Sequence, residues 1–455
     1  MDETIAAIAT ALGEGGIGIV RISGENALPV AEKIFRGRNL KDKMLVYGHI
    51  YNNFTGDLID EVMAVYMKAP HSYTAEDVVE IQCHGSVVSL RKILSLVLQN
   101  GPRLAEPGEF TKRAFLNGRL DLSQAEAVID LIQARSDVTF DVALGQLEGK
   151  LGQSVREIRK ELLDLLVNIT VNIDYPDEDI EELTYENLFS GLSDAKKSID
   201  DLLSTAHTGK LIREGLQVAI IGKPNVGKSS LMNALLKETR AIVTEIPGTT
   251  RDTIEEMISI RSIPVKLTDT AGIRQTEDRI EKIGIEKSKE SFNKADLVLF
   301  VMDGSRKLDQ EDEEILAHLG SRQVIVILNK SDLPQQITAE ELKEKMASAS
   351  AVIIETSMKE EKGITEIEDQ IEELVYGGKV KQKGSIMITN VRHQSLLEQA
   401  SASLSDALSM TEIRQPLEFI EIDVHRAYDL MGEITGETVS GDVIDEVFAR
   451  FCLGK

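Results

Sequence analysis

The sequence predicts a multidomain chain: an N-terminal α+β domain, a discontinuous α-helical domain, and an α/β domain inserted into the helical one. Three observations carry that expectation. The 455 residues are several times what one compact core needs, at about 150 residues per domain. Short β-rich runs alternate with helical stretches between residues 216 and 377. Apolar residues spaced three and four apart occur on both sides of that block, so helices flank an insert.

Composition narrows the class. Apolar residues make up 42% and charged residues 28%, as in globular proteins. The formal charge of −25 argues against non-specific coating of nucleic acid, which needs a basic face, although local basic patches stay open. The two cysteines, Cys83 and Cys452, are too few for a disulfide framework or a Cys-rich zinc site. No apolar run nears the ~18 residues of a membrane span, and the acidic start Met1-Asp2-Glu3 is unlike a signal peptide. A cytoplasmic chain with no membrane association is expected.

Element by element, residues 1–118 mix turns with β-like runs at 17–22, 61–67 and 78–81, the last ending at Cys83-His84-Gly85. Residues 119–215 carry Leu131, Leu144, Leu147, Leu151, Val155, Ile158, Leu162, Leu165 and Ile169 at helical steps, which predicts long amphipathic helices. Tyr175-Pro176 breaks them, since proline cannot continue a helix. Within 216–377, runs at 218–221, 265–267, 297–301, 324–328 and 352–354 predict a parallel sheet covered on both faces. Residues 377–384 read as a linker, and 378–455 return to helical periodicity from 391 onward.

The chemistry concentrates in the insert. Gly222-Lys223-Pro224-Asn225-Val226-Gly227-Lys228-Ser229 fits the phosphate-loop pattern directly after a strand. Its glycines let backbone N–H groups wrap phosphates, Lys228 reaches the β and γ oxygens, and the Ser229 hydroxyl suits Mg²⁺. Asp269-Thr270-Ala271-Gly272 follows a strand; its Asp can orient Mg²⁺ through water and the Gly272 N–H can sense a γ-phosphate. Between the two, Thr249-Thr250-Arg251-Asp252 offers a threonine hydroxyl to the metal. Asn329-Lys330-Ser331-Asp332 ends another strand, and the Asp332 carboxylate can accept from guanine N1–H and the 2-amino group, which adenine lacks. Thr356-Ser357-Met358 can close a base pocket with backbone groups. Together these ordered motifs in their strand–loop context read as guanine-nucleotide binding.

One position departs from the Ras-type design, in which a glutamine positions the attacking water. Here the residue after Gly272 is Ile273, which neither donates nor accepts. Glu277, Asp278 and Glu281 follow; taken singly, each reads as an ordinary solvated acid. Arg251 and Arg274 are loop arginines that spacing alone does not make arginine fingers. Cys452 has no evident activating partner, its Leu-Gly-Lys continuation does not fit prenylation, and His84 beside Cys83 is too small a cluster for a metal.

These motifs, with residues 17–24, Pro107-Gly108-Glu109-Phe110-Thr111, 113–122, Gln124-Ala125-Glu126-Ala127, Asn172-Ile173-Asp174-Tyr175-Pro176 and the closing Cys452-Leu453-Gly454-Lys455, resemble the MnmE (also TrmE) family of tRNA-modification GTPases over the whole chain. The resemblance implies a tetrahydrofolate-binding N-terminal domain that dimerises, a discontinuous helical domain and an inserted Ras-like P-loop GTPase domain. It implies Mg²⁺ at Ser229 and Thr250, and nucleotide contacts from Asn225, Val226, Gly227, Lys228, Ser229 and Ser230. Further contacts would come from Thr244, Glu245, Ile246, Pro247, Gly248, Thr249 and Thr250, from Asp269, Thr270, Ala271 and Gly272, from Asn329, Lys330 and Asp332, and from Thr356, Ser357 and Met358. It assigns K⁺ to Asn225, Thr244, Ile246 and Thr249, and water orientation to Glu281. It assigns a 5-formyl or 5,10-methylene tetrahydrofolate to Arg21, Glu80, Arg119 and Lys455, with Arg119 standing where some relatives carry lysine. Cys452 matches a family cysteine without an assigned step. The implied partners are a second copy, tRNA, and the FAD- and NADH-using MnmG in a heterotetramer. The implied reaction adds an aminomethyl or carboxymethylaminomethyl group to carbon 5 of the wobble uridine.

Two other readings compete. A ribosome-assembly GTPase switch would need an RNA module such as a KH domain, whose GXXG loop does not appear after residue 377. A folate-dependent transferase with a regulatory GTPase domain would keep its activity without residues 216–377. Lys379, Lys381 and Lys383 are a candidate RNA patch, but read first as a solvated linker.

Overall fold

A computed structural model describes residues 3–174, 184–238, 255–269, 294–319, 322–345, 352–377, 386–451 and 454. The chain forms two compact units. One comprises Met1–Ile129, Gln146–Lys196 and Gln399–Lys455, the other Asp130–Gly145 and Lys197–Glu398.

In the first unit, seven described strands form a sheet of order β3-β4-β5-β6-β2-β1-β7. They are β1 (Ile5–Ile8), β2 (Gly15–Ser23), β3 (Phe35–Gly37), β4 (Leu45–Tyr51), β5 (Leu58–Met67), β6 (Val78–Gly85) and β7 (Arg103–Leu104). The expected strands at 17–22, 61–67 and 78–81 are present, and the third continues through Gly85. Period-2 alternation sends Val20, Ile22, Val62, Ala64 and Ile81 to one face, where helices Ala27–Ile34 and Val87–Gln99 cover them with Val30, Ile34, Leu90 and Ile93. Each Val, Leu or Ile among these contributes roughly 1.5–3 kcal/mol when fully buried. The opposite face receives Arg21 and Glu80, directly opposed across β2 and β6.

Helix Lys150–Asp174 packs against Leu417–Thr435 from the far end of the chain, and the expected break at Tyr175-Pro176 lies outside the described residues. The Arg159 guanidinium sits 4.2 Å from the Tyr428 ring centroid, and the Thr170 hydroxyl donates to Glu421 at 2.8 Å. Helices from both sides of the α/β block therefore share one core.

In the second unit the described strands are β8 (Leu216–Ile221), β9 (Glu255–Ile260), β10 (Ile263–Asp269), β11 (Leu297–Asp303), β12 (Val324–Asn329) and β13 (Val352–Glu355), ordered β13-β12-β11-β8-β10-β9. All seven residues of β11 are buried. Leu297, Leu299 and Val301 face Ile325, Ile327 and helix Ile364–Tyr376, while Val298, Phe300 and Met302 face Val326, Leu328, Leu316 and Leu342. Two covered faces explain the unbroken apolar runs.

The sheet corrects one expectation. It is mixed rather than wholly parallel, because β9 pairs antiparallel with β10. The connecting residues Arg261 and Ser262 both have positive φ, 49° and 67°, the geometry of a two-residue hairpin that usually carries Asn-Gly. Arg-Ser has no such signal, so the hairpin was hidden. The parallel strands deliver the loops after β8, β11, β12 and β13 to one edge of the sheet, at their carboxyl ends.

Candidate functional site

The loop after β8 needs its glycines. Gly222 has φ 146° and Gly227 φ 113°. A Cβ at Gly222 would lie 2.2 Å from the Val301 carbonyl oxygen, and one at Gly227 2.1 Å from the Asn329 amide nitrogen. Lys228 is buried, and its ammonium curls back to donate to the carbonyls of Gly222 at 2.7 Å and Lys223 at 2.6 Å. It opens helix Lys228–Glu238, with Ser229 and Ser230 exposed in the first turn. The unpaired N–H groups and positive dipole end there favour an anion. The Ser229 hydroxyl is a hard oxygen donor of the type Mg²⁺ takes, and Asn225, exposed at φ 63°, offers an amide oxygen to a monovalent cation.

Asn329 joins three loops. Its amide nitrogen donates to the Val226 carbonyl at 2.7 Å, and its amide oxygen accepts from the Met358 N–H at 3.1 Å. Asp332 accepts from the Ser357 hydroxyl at 2.8 Å, and the Ser331 N–H donates to the Thr356 carbonyl at 3.0 Å. The segments 222–229, 329–332 and 356–358, separate in sequence, thus meet.

Two further interactions escaped sequence reasoning. Asp303, at the end of β11, accepts from the Lys330 ammonium at 2.5 Å. Burial raises its pKa, but hydrogen bonds from Lys330 and Ser305 outweigh that and leave it below the usual value. Lys223 donates to Asp312 at 2.8 Å and also to Asp309. Desolvation works against its charge, yet those two carboxylates raise its pKa. Asp303 and Asn329 are register partners on adjacent strands, a relation visible only once the sheet is paired.

Several expected site residues lie outside the described residues: Thr244, Glu245, Ile246, Pro247, Gly248, Thr249, Thr250, Thr270, Ala271, Gly272, Glu281, Cys452 and Lys455. The Asp269 backbone ends β10 in register with Ile220, and its side chain lies outside them too.

A second cluster forms on the first unit. The Arg21 Nε donates to Glu80 at 2.7 Å and its Nη1 to the Gly454 carbonyl at 3.4 Å. Its guanidinium lies 5.3 Å from the Tyr73 ring centroid and 5.5 Å from that of Phe110. Arg119 stacks on Tyr73 at 4.8 Å and donates to its carbonyl at 2.9 Å. Arg21, Glu80 and Arg119 therefore gather around Tyr73, which no sequence signal singled out. Nearby, Arg113 is 1% exposed and donates to Glu76 and Glu109. Burial pushes the Glu109 carboxyl up, but Arg103, the Glu106 N–H and Arg113 bring it down to about 2. Cys83 is buried as a free thiol whose pKa burial raises, and His84 pairs with Asp60 at 2.6 Å. Among the described residues, no group of three or more His, Cys, Asp or Glu is arranged to hold a metal ion, and no helix is long and apolar enough to cross a membrane.

A lysine-bearing glycine loop after a central parallel strand, joined through an asparagine to an Asn-Lys-x-Asp loop, defines a P-loop protein of the guanine-nucleotide class. The chain belongs to the MnmE family of tRNA modification GTPases. The MnmE helical-domain family matches residues 122–452, and the family of the GTP-binding protein TrmE N-terminus matches residues 4–119. The tRNA modification GTPase MnmE of Alkaliphilus metalliredigens is 52% identical, and that of Clostridioides difficile 53%, each alignment covering 100% of both chains. The solved G domain of the T. maritima FeoB iron transporter is 27% identical over 35% of this chain and 97% of that one, with a TM-score of 0.27.

Proposed function

We propose that the chain is a potassium-activated GTP hydrolase working as a homodimer in tRNA wobble-uridine modification, with domains meeting near residues 118, 215 and 377. The observation that carries the nucleotide reading is the Asn329 amide, which ties the phosphate loop to the base loop at the Val226 carbonyl. Lys228 holds the loop closed through two carbonyls and supplies positive charge to the β and γ oxygens when nucleotide enters. Asp332, held by Ser357, reads guanine N1–H and the 2-amino group. Ser229 and Thr250 would hold Mg²⁺, which would neutralise phosphate charge there.

Ile273 cannot position water, and the family resemblance assigns that role to Glu281. The same resemblance assigns Asn225, Thr244, Ile246 and Thr249 to K⁺, which would supply fixed positive charge where spacing identifies no arginine finger. The cluster around Tyr73 supports the folate reading: Arg21 and Arg119 suit the carboxylates of a glutamate-bearing folate, and Glu80 suits donors on its ring. Lys455 completes that set. An FAD-containing MnmG-like partner and the folate one-carbon unit then serve C5 modification of tRNA in the cytoplasm.

Mass spectrometry of wobble uridines in a deletion strain tests the reading. Loss of the C5 aminomethyl or carboxymethylaminomethyl group, restored by the full chain but not by one lacking 216–377, supports it. Unchanged uridines in the deletion strain reject it, and restoration by the truncated chain favours the folate transferase with a regulatory GTPase domain.

A further inference from the structure

We infer that Asp303 is a positioning residue for guanine recognition, acting through the Lys330 ammonium that it holds at 2.5 Å. The inference rests on the guanine-nucleotide reading and extends it to a residue outside the nucleotide motifs. Asp303 is the last residue of β11 and is 7% exposed. Parallel register sets it beside Asn329, the last residue of β12. One carboxylate oxygen takes the Lys330 ammonium, and the other accepts from the Ser305 N–H at 3.1 Å and hydroxyl at 2.6 Å. Both oxygens are committed, so the carboxylate has little freedom to rotate.

Lys330 itself has φ 68°, a left-handed conformation that a side chain with a Cβ disfavours. That turn carries the chain from Asn329, tied to the phosphate loop, toward Asp332, tied to Ser357. The Asn329 carbonyl accepts from the Gly304 N–H at 3.0 Å, and the Lys330 carbonyl accepts from the Gln335 amide at 2.9 Å. Those two bonds restrain the turn at its carbonyls, and Asp303 adds a third restraint through the Lys330 side chain. Releasing the ammonium lets the disfavoured turn relax and displaces the Asp332 carboxylate. Arg306 also approaches Asp303, at 3.4 Å, but it is 72% exposed and its charge is screened.

The test uses the full chain with GTP and with inosine triphosphate, which keeps N1–H but lacks the 2-amino group. Asp303→Asn should raise KM for GTP about ten- to fiftyfold, the loss of a charge-assisted hydrogen bond. Its kcat at saturation should stay within about twofold, since the phosphate-side groups are untouched. The preference for GTP over inosine triphosphate should shrink, because the 2-amino contact depends most on the Asp332 angle. Adding Lys330→Met to Asp303→Asn should cost no more than Asp303→Asn alone, as two members of one pair are not additive. An unchanged KM, equal losses for both nucleotides, or additive losses would overturn the inference. If Asp303→Asn does not fold by circular dichroism, Lys330→Met alone decides, and an unaltered nucleotide preference there overturns it. A wild-type chain without preference for GTP over ATP would reject the guanine reading itself.

Discussion

At Asp332 the geometry makes a sharp demand. Its carboxylate accepts from Ser357 and has lone pairs left for two donors on a base edge. Asp332→Asn turns one acceptor into a donor, so GTP affinity should fall strongly and the preference over ATP should relax; unchanged values in nucleotide titrations would remove Asp332 from the base site. Arg21 has a comparable position on the other unit. It is shared among Glu80, the Gly454 carbonyl and two aromatic rings, which hold its guanidinium in place. A charged hydrogen bond contributes roughly 1.5–3 kcal/mol, so Arg21→Ala should weaken 5-formyltetrahydrofolate binding about ten- to a hundredfold by calorimetry. Equal affinity would remove Arg21 from the proposed folate site. Arg21, Glu80 and Arg119 were legible from motif likeness, whereas Tyr73 and Asp303 were not. Their neighbours come from strands and loops remote in sequence, and each alone is an ordinary residue type.

Among elements, the β9–β10 hairpin shows where local signals end. Five strands of the second unit announce themselves as apolar runs because both of their faces are covered. The sixth, Glu255–Ile260, opens on two glutamates and turns through Arg261-Ser262 in left-handed conformations. Tertiary packing of Ile258 and Ile260 on the core holds that turn, overriding the preference of its residues. Ser262→Gly removes the steric cost of φ 67° while keeping the Arg261 pair with Asp369. The chain should gain about 0.5–1 kcal/mol in urea unfolding. A neutral or destabilising result would show that Ser262 carries no strain there.

For the whole molecule, pH and cations supply the tests. Glu109 is buried between Arg103 and Arg113 and titrates at about 2, against 4.5 for the free group. A carboxyl with a depressed folded pKa stabilises the fold above its unfolded pKa, and that stability is lost as pH falls toward the folded value. Between about pH 4.5 and 2 the chain should lose on the order of 3 kcal/mol from this group. Glu109→Gln should lower stability at neutral pH and flatten that acid slope in chemical unfolding; a slope identical to wild type would place the acid sensitivity elsewhere. GTP turnover should be faster in KCl than in NaCl at equal ionic strength. Asn225→Ala should lose that response, and Glu281→Ala should bind GTP yet hydrolyse it slowly. Equal wild-type rates in both salts would reject the cation mechanism.

The amino-acid sequence alone determined the order of phosphate loop and base loop, the helices on either side of the insert, and the family. Those signals are local: a glycine spacing, an apolar period, a strand followed by a polar loop. Only the tertiary structure decided that Lys150–Asp174 and Leu417–Thr435 share a core, that Arg21 and Arg119 meet on Tyr73, and that Asn329 bonds the Val226 carbonyl. It also decided that Asp303 stands beside Asn329. Strand register and helix pairing bring together residues tens to hundreds of positions apart, and no local propensity encodes which of them will touch.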